Sequence, residues 1–175
     1  MKRLTVITCL FVLAFSAGAQ GIPLLERVQG HRVQFHYTYS LSRGGGAFEP
    51  VTDGAVTLEG NAYVLEGLGL KVISDGSTRW SLDPEAKEAV VEAVNREDVF
   101  TNPALFIAAY PKYRDRITVN AQGDDFLDVT LSLDEDGTAA RFVISGVIFG
   151  PEKGKSDFSV AEKSLPEGYV ITDLR

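Results

Sequence analysis

The clearest pattern in this chain is VQFHYTYSLS, residues 33–42. Large apolar side chains alternate with polar ones, and a two-residue repeat places each set on its own face of an extended strand. The apolar set is Val33, Phe35, Tyr37, Tyr39 and Leu41. The pattern therefore predicts a strand with an aromatic face toward a core and a polar face toward water.

Shorter apolar runs after this strand have the same character, and turn segments such as Asp75-Gly76 separate them. The further predicted strands are Ala55–Leu58, Ala62–Leu65, Leu68–Ile73, Thr78–Leu82, Arg116–Val119, Phe126–Leu133, Ala139–Phe149, Asp157–Ala161 and Tyr169–Leu174. Their number and spacing predict a mainly β (α+β) protein with a single, strongly curved antiparallel sheet.

Two interpretations are open for residues 84–97. Asp83-Pro84-Glu85 is a possible helix start, and the Glu, Ala and Lys residues after it favour a helix. Alternation at Ala89, Val91 and Ala93 favours a strand instead. We predict a strand at Glu88–Val94, because a hairpin after Asp83-Pro84 continues the preceding strands.

Two short helices complete the predicted fold. Pro23 lies in the first turn of the first helix, and Gly30 lies at its end. Asn102-Pro103 is a typical helix start for the second. The apolar residues of that helix recur at helical spacing and are Leu105, Phe106, Ala109, Tyr110 and Tyr113.

The first nineteen residues have the composition of a secretory signal peptide. Lys2 and Arg3 precede an apolar run, and Ala17-Gly18-Ala19 supplies the small residues of a cleavage site. We expect cleavage after Ala19 and a single domain at residues 20–175. The apolar run is shorter than the about 20 residues that a membrane-spanning helix needs, so we expect a protein that is not membrane-embedded.

The composition argues against several classes of function. The chain has 17 Lys and Arg against 24 Asp and Glu, and this net charge of −7 repels phosphate backbones, so nucleic acid is not an expected partner. The single cysteine, Cys9, lies in the predicted signal peptide, which leaves no disulfide, cysteine nucleophile or lipidated cysteine.

Catalytic and metal-binding patterns are also missing from the sequence. His31 and His36 have no further ligands at suitable spacing, and the acidic run from Asp134 to Gly137 is typical of a hairpin turn. We therefore predict no enzyme activity, no cofactor and no metal site.

The order of these signals resembles the periplasmic outer-membrane lipoprotein carrier family, of LolA type. The resemblance rests on the run Gly54–Leu65, the Asp75-Gly76-x-x-x-Trp80 hairpin, the helix at Asn102-Pro103 and the ending Asp173-Leu174-Arg175. It implies a half-open β-barrel covered by short helices, which enclose an apolar space for acyl chains. The chain is similar to a divergent branch, because Glu59-Gly60-Asn61 replaces an Arg-Pro-Asn triplet whose Arg is associated with lid closure.

The resemblance implies a monomeric carrier in the periplasm. Its cargo would be lipidated proteins or other acylated ligands, received from inner-membrane release machinery and passed to an outer-membrane acceptor. A lipid-sensing or protein-interaction module of the same fold is the alternative. Cross-linking in cells distinguishes them, because a carrier traps many lipoproteins and a sensor one stable partner.

The predicted acyl-chain cavity lies between the sheet and the Pro103 helix. Its residues come from the first strand, the middle hairpin and the helix, and they are Phe35, Tyr37, Tyr39, Leu70, Val72, Trp80, Leu82, Leu105, Phe106 and Ala109. The same residues are equally consistent with an ordinary packed core, because a helix-covered sheet buries this face in either case.

Overall fold

The computed structural model describes residues 21–175, apart from the side chains of Arg96, Glu97 and Lys155. The predicted signal peptide and its cleavage site lie outside the described residues. The helices are α1 (Pro23–Val28) and α2 (Pro103–Ala109). The strands are β1 (Arg32–Ser42), β2 (Glu49–Glu59), β3 (Ala62–Gly67), β4 (Leu70–Ser74), β5 (Thr78–Asp83), β6 (Glu88–Ala93), β7 (Ile117–Gln122), β8 (Leu127–Ser132), β9 (Ala139–Gly150) and β10 (Val170–Asp173).

Short 3-10 turns flank α2 and interrupt the segment after β9. They are Arg96–Phe100, Tyr110–Lys112, Arg114–Arg116, Lys155–Phe158 and Glu162–Ser164. Helix α2 thus ends earlier than its apolar spacing predicts, because the chain tightens into a 3-10 turn around Pro111.

The ten strands form one open sheet in the order β10-β6-β5-β4-β3-β2-β1-β9-β8-β7. This confirms the mainly β fold class. One correction concerns β10, which pairs with β6 in parallel, whereas the other neighbours are antiparallel. Strands β6 and β10 are not consecutive, because residues 94–169, with β7, β8 and β9, lie between them, so no tight hairpin forces this pair to be antiparallel.

Strand pairing sorts the side chains onto a concave and a convex face. On the concave face, Val33 lies opposite Leu58, and Phe35 opposite Val56. Both helices pack here, and the main core lies between them and strands β1, β2, β3, β8 and β9. The alternation predicted for residues 33–42 is confirmed as far as Tyr39, because Val33, Phe35, Tyr37 and Tyr39 are buried while the residues between them are exposed. Beyond a register shift at Tyr39 and Ser40 it fails, since Leu41 is half-buried and the polar Ser42 is buried.

A second apolar cluster lies on the convex face of β5 and β6. It consists of Trp80, Leu82, Ala89 and Val91, against which Val160, Leu165 and Tyr169 pack from the segment before β10. The convex face is therefore covered at β5 and β6, while Val72 of the neighbouring β4 packs on the main core at the concave face. On β1, by contrast, the convex-face residues Gln34, His36 and Thr38 are exposed.

The strand predicted at Glu88–Val94 is confirmed as β6. The Asp83 carboxylate accepts hydrogen bonds from the backbone N–H groups of Glu85 and Ala86, both at 2.9 Å. This pattern starts a turn here and not a helix, since Ala89 and Val91 gain burial on the strand's convex face.

The strand predicted at Asp157–Ala161 is wrong. Residues Lys155–Phe158 form a 3-10 turn, and Ser159–Ala161 follow without a strand partner. Two contacts of Arg32 explain the turn, because its guanidinium donates to Asp157 at 3.1 Å and lies 5.2 Å from the centre of the Phe158 ring. The alternating pattern survives, with Phe158 buried and Val160 half-buried.

Candidate functional site

Helix α2 is the element that covers the concave aromatic face. Asn102 caps its start, and its side-chain oxygen accepts hydrogen bonds from the N–H groups of Ala104 at 2.9 Å and Leu105 at 3.3 Å. Pro103 at the first position needs no N–H partner. The apolar side of this short helix is buried through Ala104, Phe106 and Ile107, so packing and not its own length holds it in place.

An aromatic stack joins the helix to the sheet. The centroids of the Phe106 and Phe142 rings are 4.7 Å apart, and the two ring planes are 11° from parallel. The ring of Tyr39, on the neighbouring strand β1, has its centroid 5.2 Å from that of Phe142. Phe35, Tyr37, Tyr39 and Phe106, four of the predicted cavity residues, are therefore together in the main core. In this state their own side chains occupy much of the space beneath α2.

Two glycines accommodate the ring of Tyr37. Gly54 lies opposite Tyr37 on β2, and Gly67 lies opposite Gly54 on β3. A Cβ atom at Gly67 would lie 2.8 Å from the Tyr37 hydroxyl. Burial raises the pKa of Tyr37 above its usual value, which a hydrogen bond with Thr52 partly offsets. The glycine pair thus provides room that a neutral phenol fills.

Free space beside the helix is small. A pocket of about 130 Å³ opens at one flank of α2, and three of its residues, Leu105, Ala109 and Tyr113, are partly buried against the main core. The other lining residues are Asn61, Gly76, Val94, Ala108 and Lys112. A smaller pocket of about 60 Å³ lies near Val28, Leu58 and Ile107. Val72 also packs on the main core.

Three predicted cavity residues are not beneath the helix. Ile73 pairs with Trp80 and Val72 pairs with Ser81, so Trp80 and Leu82 point to the convex face, away from Val72. Leu70 begins β4 beside an exposed turn and is 39% exposed. The sequence pattern assigned all apolar residues of this hairpin to one face, whereas the hairpin supplies apolar residues to both.

Arg79 is a concave-face residue that the sequence analysis missed. It lies on β5 and donates to Asp98, in the 3-10 turn before α2, at 2.5 Å and to Glu92 of β6 at 2.9 Å. Burial lowers the pKa of Arg79, but the hydrogen bonds to Asp98 and Glu92 raise it above its usual value. This ion pair network connects the sheet to the segment that carries α2.

The C-terminal end of α2 has polar contacts with α1 and with Gln29, which follows α1. The Gln29 side chain donates to the Ile107 carbonyl oxygen at 2.7 Å. The Tyr110 hydroxyl and the Arg114 guanidinium both lie within hydrogen-bonding distance of the Glu26 carboxylate, at 3.3 and 3.4 Å. The helix is thus held by apolar packing and by a few polar contacts at its ends.

Glu59, the residue that departs from the family pattern, lies on the convex face. Its carboxylate accepts hydrogen bonds from Arg32 at 3.1 Å and from the backbone N–H groups of Lys153 at 3.3 Å and Gly154 at 2.9 Å. Desolvation raises the pKa of Glu59, but these hydrogen bonds together lower it below its usual value. Glu59 therefore anchors the segment after β9.

Acidic residues and histidines form no metal-binding cluster among residues 21–175. No group of three His, Cys, Asp or Glu side chains in this part of the chain has a geometry that suits a metal ion. The Asp134 carboxylate accepts a hydrogen bond from the Thr138 N–H at 2.8 Å, which closes the hairpin turn predicted there.

The described features define an open β-sheet protein with an aromatic concave face under a short helix. None of its described helices is long and apolar enough to cross a membrane. Comparison with protein-family models and with curated proteins finds no match to this chain. The resemblance to the lipoprotein carriers therefore stays a prediction.

Proposed function

We propose that this protein is a periplasmic carrier that binds the acyl chains of lipidated proteins, or of another acylated ligand, between α2 and the concave face. The observation that carries the proposal is the aromatic wall of Phe35, Tyr37 and Tyr39 beneath a helix that few polar contacts hold. The export signal predicted at residues 1–19 is consistent with a cargo that leaves the inner membrane.

In this proposal the arrangement with α2 packed on the sheet is the closed form of the carrier. An acyl chain enters when α2 and its flanking 3-10 turns move away from the sheet and Phe106 separates from Phe142. Disrupting one buried phenylalanine costs about 3–5 kcal/mol. Sheltering a sixteen-carbon chain gains on the order of 10 kcal/mol, at about 0.8 kcal/mol per methylene. Bound hydrocarbon therefore outweighs the loss of this one stacked ring.

The polar contacts at the two ends of α2 act as latches in this proposal. Gln29 holds the Ile107 carbonyl, and Arg79 holds Asp98. Neither contact lies within the apolar interior, so weakening one makes opening easier without removing surface that contacts the acyl chain.

Lipid analysis and uptake measurements test the proposal. Residues 20–175, produced by export, are examined by native mass spectrometry and lipid extraction, and then mixed with a tripalmitoylated lipopeptide and a fluorescent fatty acid. We expect bound lipid or uptake, with faster uptake by the Gln29→Ala and Arg79→Gln variants. Arg141→Gln is the control, because Arg141 contacts Asp128 on the convex face. An empty wild type and latch variants that take up neither probe would contradict the proposal.

A protein-interaction or lipid-sensing module is the second candidate, and one observation favours it. The pocket beside α2 has about 130 Å³, whereas sites for small ligands usually have about 300–1,000 Å³. Cross-linking in cells separates the two functions. A carrier is captured with many lipoproteins for short times, and a sensor is captured with one stable partner.

A further inference from the structure

The largest groove described in this protein lies on the convex face, away from the proposed acyl-chain site. It has a volume of about 540 Å³ and lies between the start of β5 and residues 158–163. Trp80, Phe158 and Val160 supply its apolar side chains. This volume is within the range of about 300–1,000 Å³ that is usual for ligand sites.

One wall of the groove is a strand-like segment without a partner strand. Ser159 has φ −122° and ψ 148°, and Ala161 has φ −90° and ψ 126°, which are extended conformations. Among the described residues, the backbone N–H and C=O groups of Val160 make no hydrogen bond with another group, and in an extended chain both point to the same edge. The neighbouring Ala161 carbonyl, on the opposite edge, already accepts hydrogen bonds from the backbone and side chain of Ser164. These are the residues at which the sequence predicted a strand.

The chemistry of the groove favours a peptide over a hydrocarbon or a simple ion. An extended backbone with unused donors and acceptors is complemented by another extended backbone, as in strand addition to a sheet edge. The apolar floor at Trp80 and Val160 suits an apolar side chain of such a peptide, where every second side chain points toward the sheet. The rim carries both signs of charge, with Glu162 and Lys163 adjacent, so a single anion or cation finds no uniform field.

We propose that this groove binds an extended peptide segment of a partner protein, which exchanges backbone hydrogen bonds with the N–H and C=O of Val160 and places an apolar side chain against Trp80. The site does not depend on the concave face, because α2 does not line it. It gives the protein a way to engage a partner while the concave face is occupied or closed.

Blocked hexapeptides test the proposal directly. The panel consists of acetylated, amidated hexapeptides in which threonine alternates with valine, leucine or phenylalanine, and binding is followed by proton–nitrogen correlation spectra of the ¹⁵N-labelled protein. We expect saturable shifts at the amides of Val160 and Ala161 and at the Trp80 indole N–H. No saturable shift with any peptide of the panel overturns the proposal.

N-methylated peptides show whether backbone pairing is responsible. In an extended peptide, alternate N–H groups point to opposite edges, so methylating one alternate set blocks pairing and methylating the other does not. We expect one of the two methylated peptides to bind about tenfold more weakly than the parent and the other to bind like it. Equal binding by both would show apolar adsorption alone and would overturn the proposal.

A matched pair of variants locates the site. Ala161 is exposed and lines the groove, so Ala161→Trp fills the groove without entering a core. Ala86 is also exposed but lies in the turn between β5 and β6, so Ala86→Trp is the control. We expect the first variant to lose peptide binding and the second to retain it. Shifts at Val160 that appear with the fluorescent fatty acid but not with peptides would identify a lipid site and overturn the proposal.

Discussion

Phe106 of α2 stacks on Phe142 of β9 with 4.7 Å between ring centroids and 11° between ring planes. Both side chains are fully buried, so this stack joins the helix to the sheet inside the core. It gives the helix a defined position and adds to the cost of moving it. The proposed opening of the concave face therefore depends on breaking this pair.

The Phe106→Ala variant tests the energetic weight of the stack. We expect it to lower the free energy of unfolding by about 3–5 kcal/mol, because it leaves a void against Phe142. Leu105→Ala is the comparison, since Leu105 is only partly buried, and a smaller loss is expected. Urea denaturation measures both. An equal or larger effect at Leu105 would show that the stack does not dominate the attachment of α2.

The Gly67→Ala variant tests the space around Tyr37. The added methyl group would lie 2.8 Å from the Tyr37 hydroxyl and 2.9 Å from the Asp53 carbonyl oxygen, so we expect a loss of stability. Overpacking of this kind typically costs about 1–3 kcal/mol. Tyr37→Phe removes the first clash, so the double variant should recover part of the loss. Thermal unfolding of the two single variants and the double variant measures this coupling, and strict additivity would contradict it.

The Asp128–Arg141 pair predicts a pH dependence of stability. Arg141 donates to the Asp128 carboxylate at 2.9 and 2.5 Å, and these bonds hold the pKa of Asp128 below its usual value, with Asn120 assisting. Because the pKa is lower in the folded state, the stabilisation is complete above about pH 4 and is lost as the pH falls through the folded-state pKa. We expect Asp128→Asn to lower the free energy of unfolding by about 1–3 kcal/mol at neutral pH. We expect a much smaller loss at a pH below the folded-state pKa of Asp128. Urea denaturation across this range measures the difference, which should not be constant.

Substitution at Glu59 tests the anchor of the segment after β9. We expect Glu59→Arg to release this segment. The new guanidinium is repelled by Arg32, and the carboxylate that accepts hydrogen bonds from the N–H groups of Lys153 and Gly154 is lost. Hydrogen exchange should become faster at residues 153–158 and stay unchanged in α2. Faster exchange confined to α2 would instead support a role for Glu59 in holding the helix.

Local patterns were sufficient to predict most of the elements. The alternation at residues 33–39 and the cap at Asn102-Pro103 are properties of neighbouring residues, and both are confirmed. The parallel pairing of β10 with β6 depends on the path of a long connection, which no short-range pattern contains.

The candidate site was less predictable because it depends on which face each strand presents. Trp80 and Val72 are on opposite faces, since the hairpin is covered on both sides and its apolar residues carry no single alternation. Arg79 was missed for a related reason. Its partner Asp98 lies in a 3-10 turn that the sequence did not predict, so the pairing was not visible before the fold was known.

The late position of β10 affects how the protein reaches its native state. The convex surface at Trp80 and Val91 is formed by consecutive hairpins, but its cover comes from Val160, Leu165 and Tyr169, far along the chain. Contacts over such sequence separations form slowly, because the intervening loop must close first. During folding this apolar patch is exposed to solvent beside an unpaired sheet edge, and this combination promotes aggregation. A chain of this design benefits from a holding chaperone until β10 has docked.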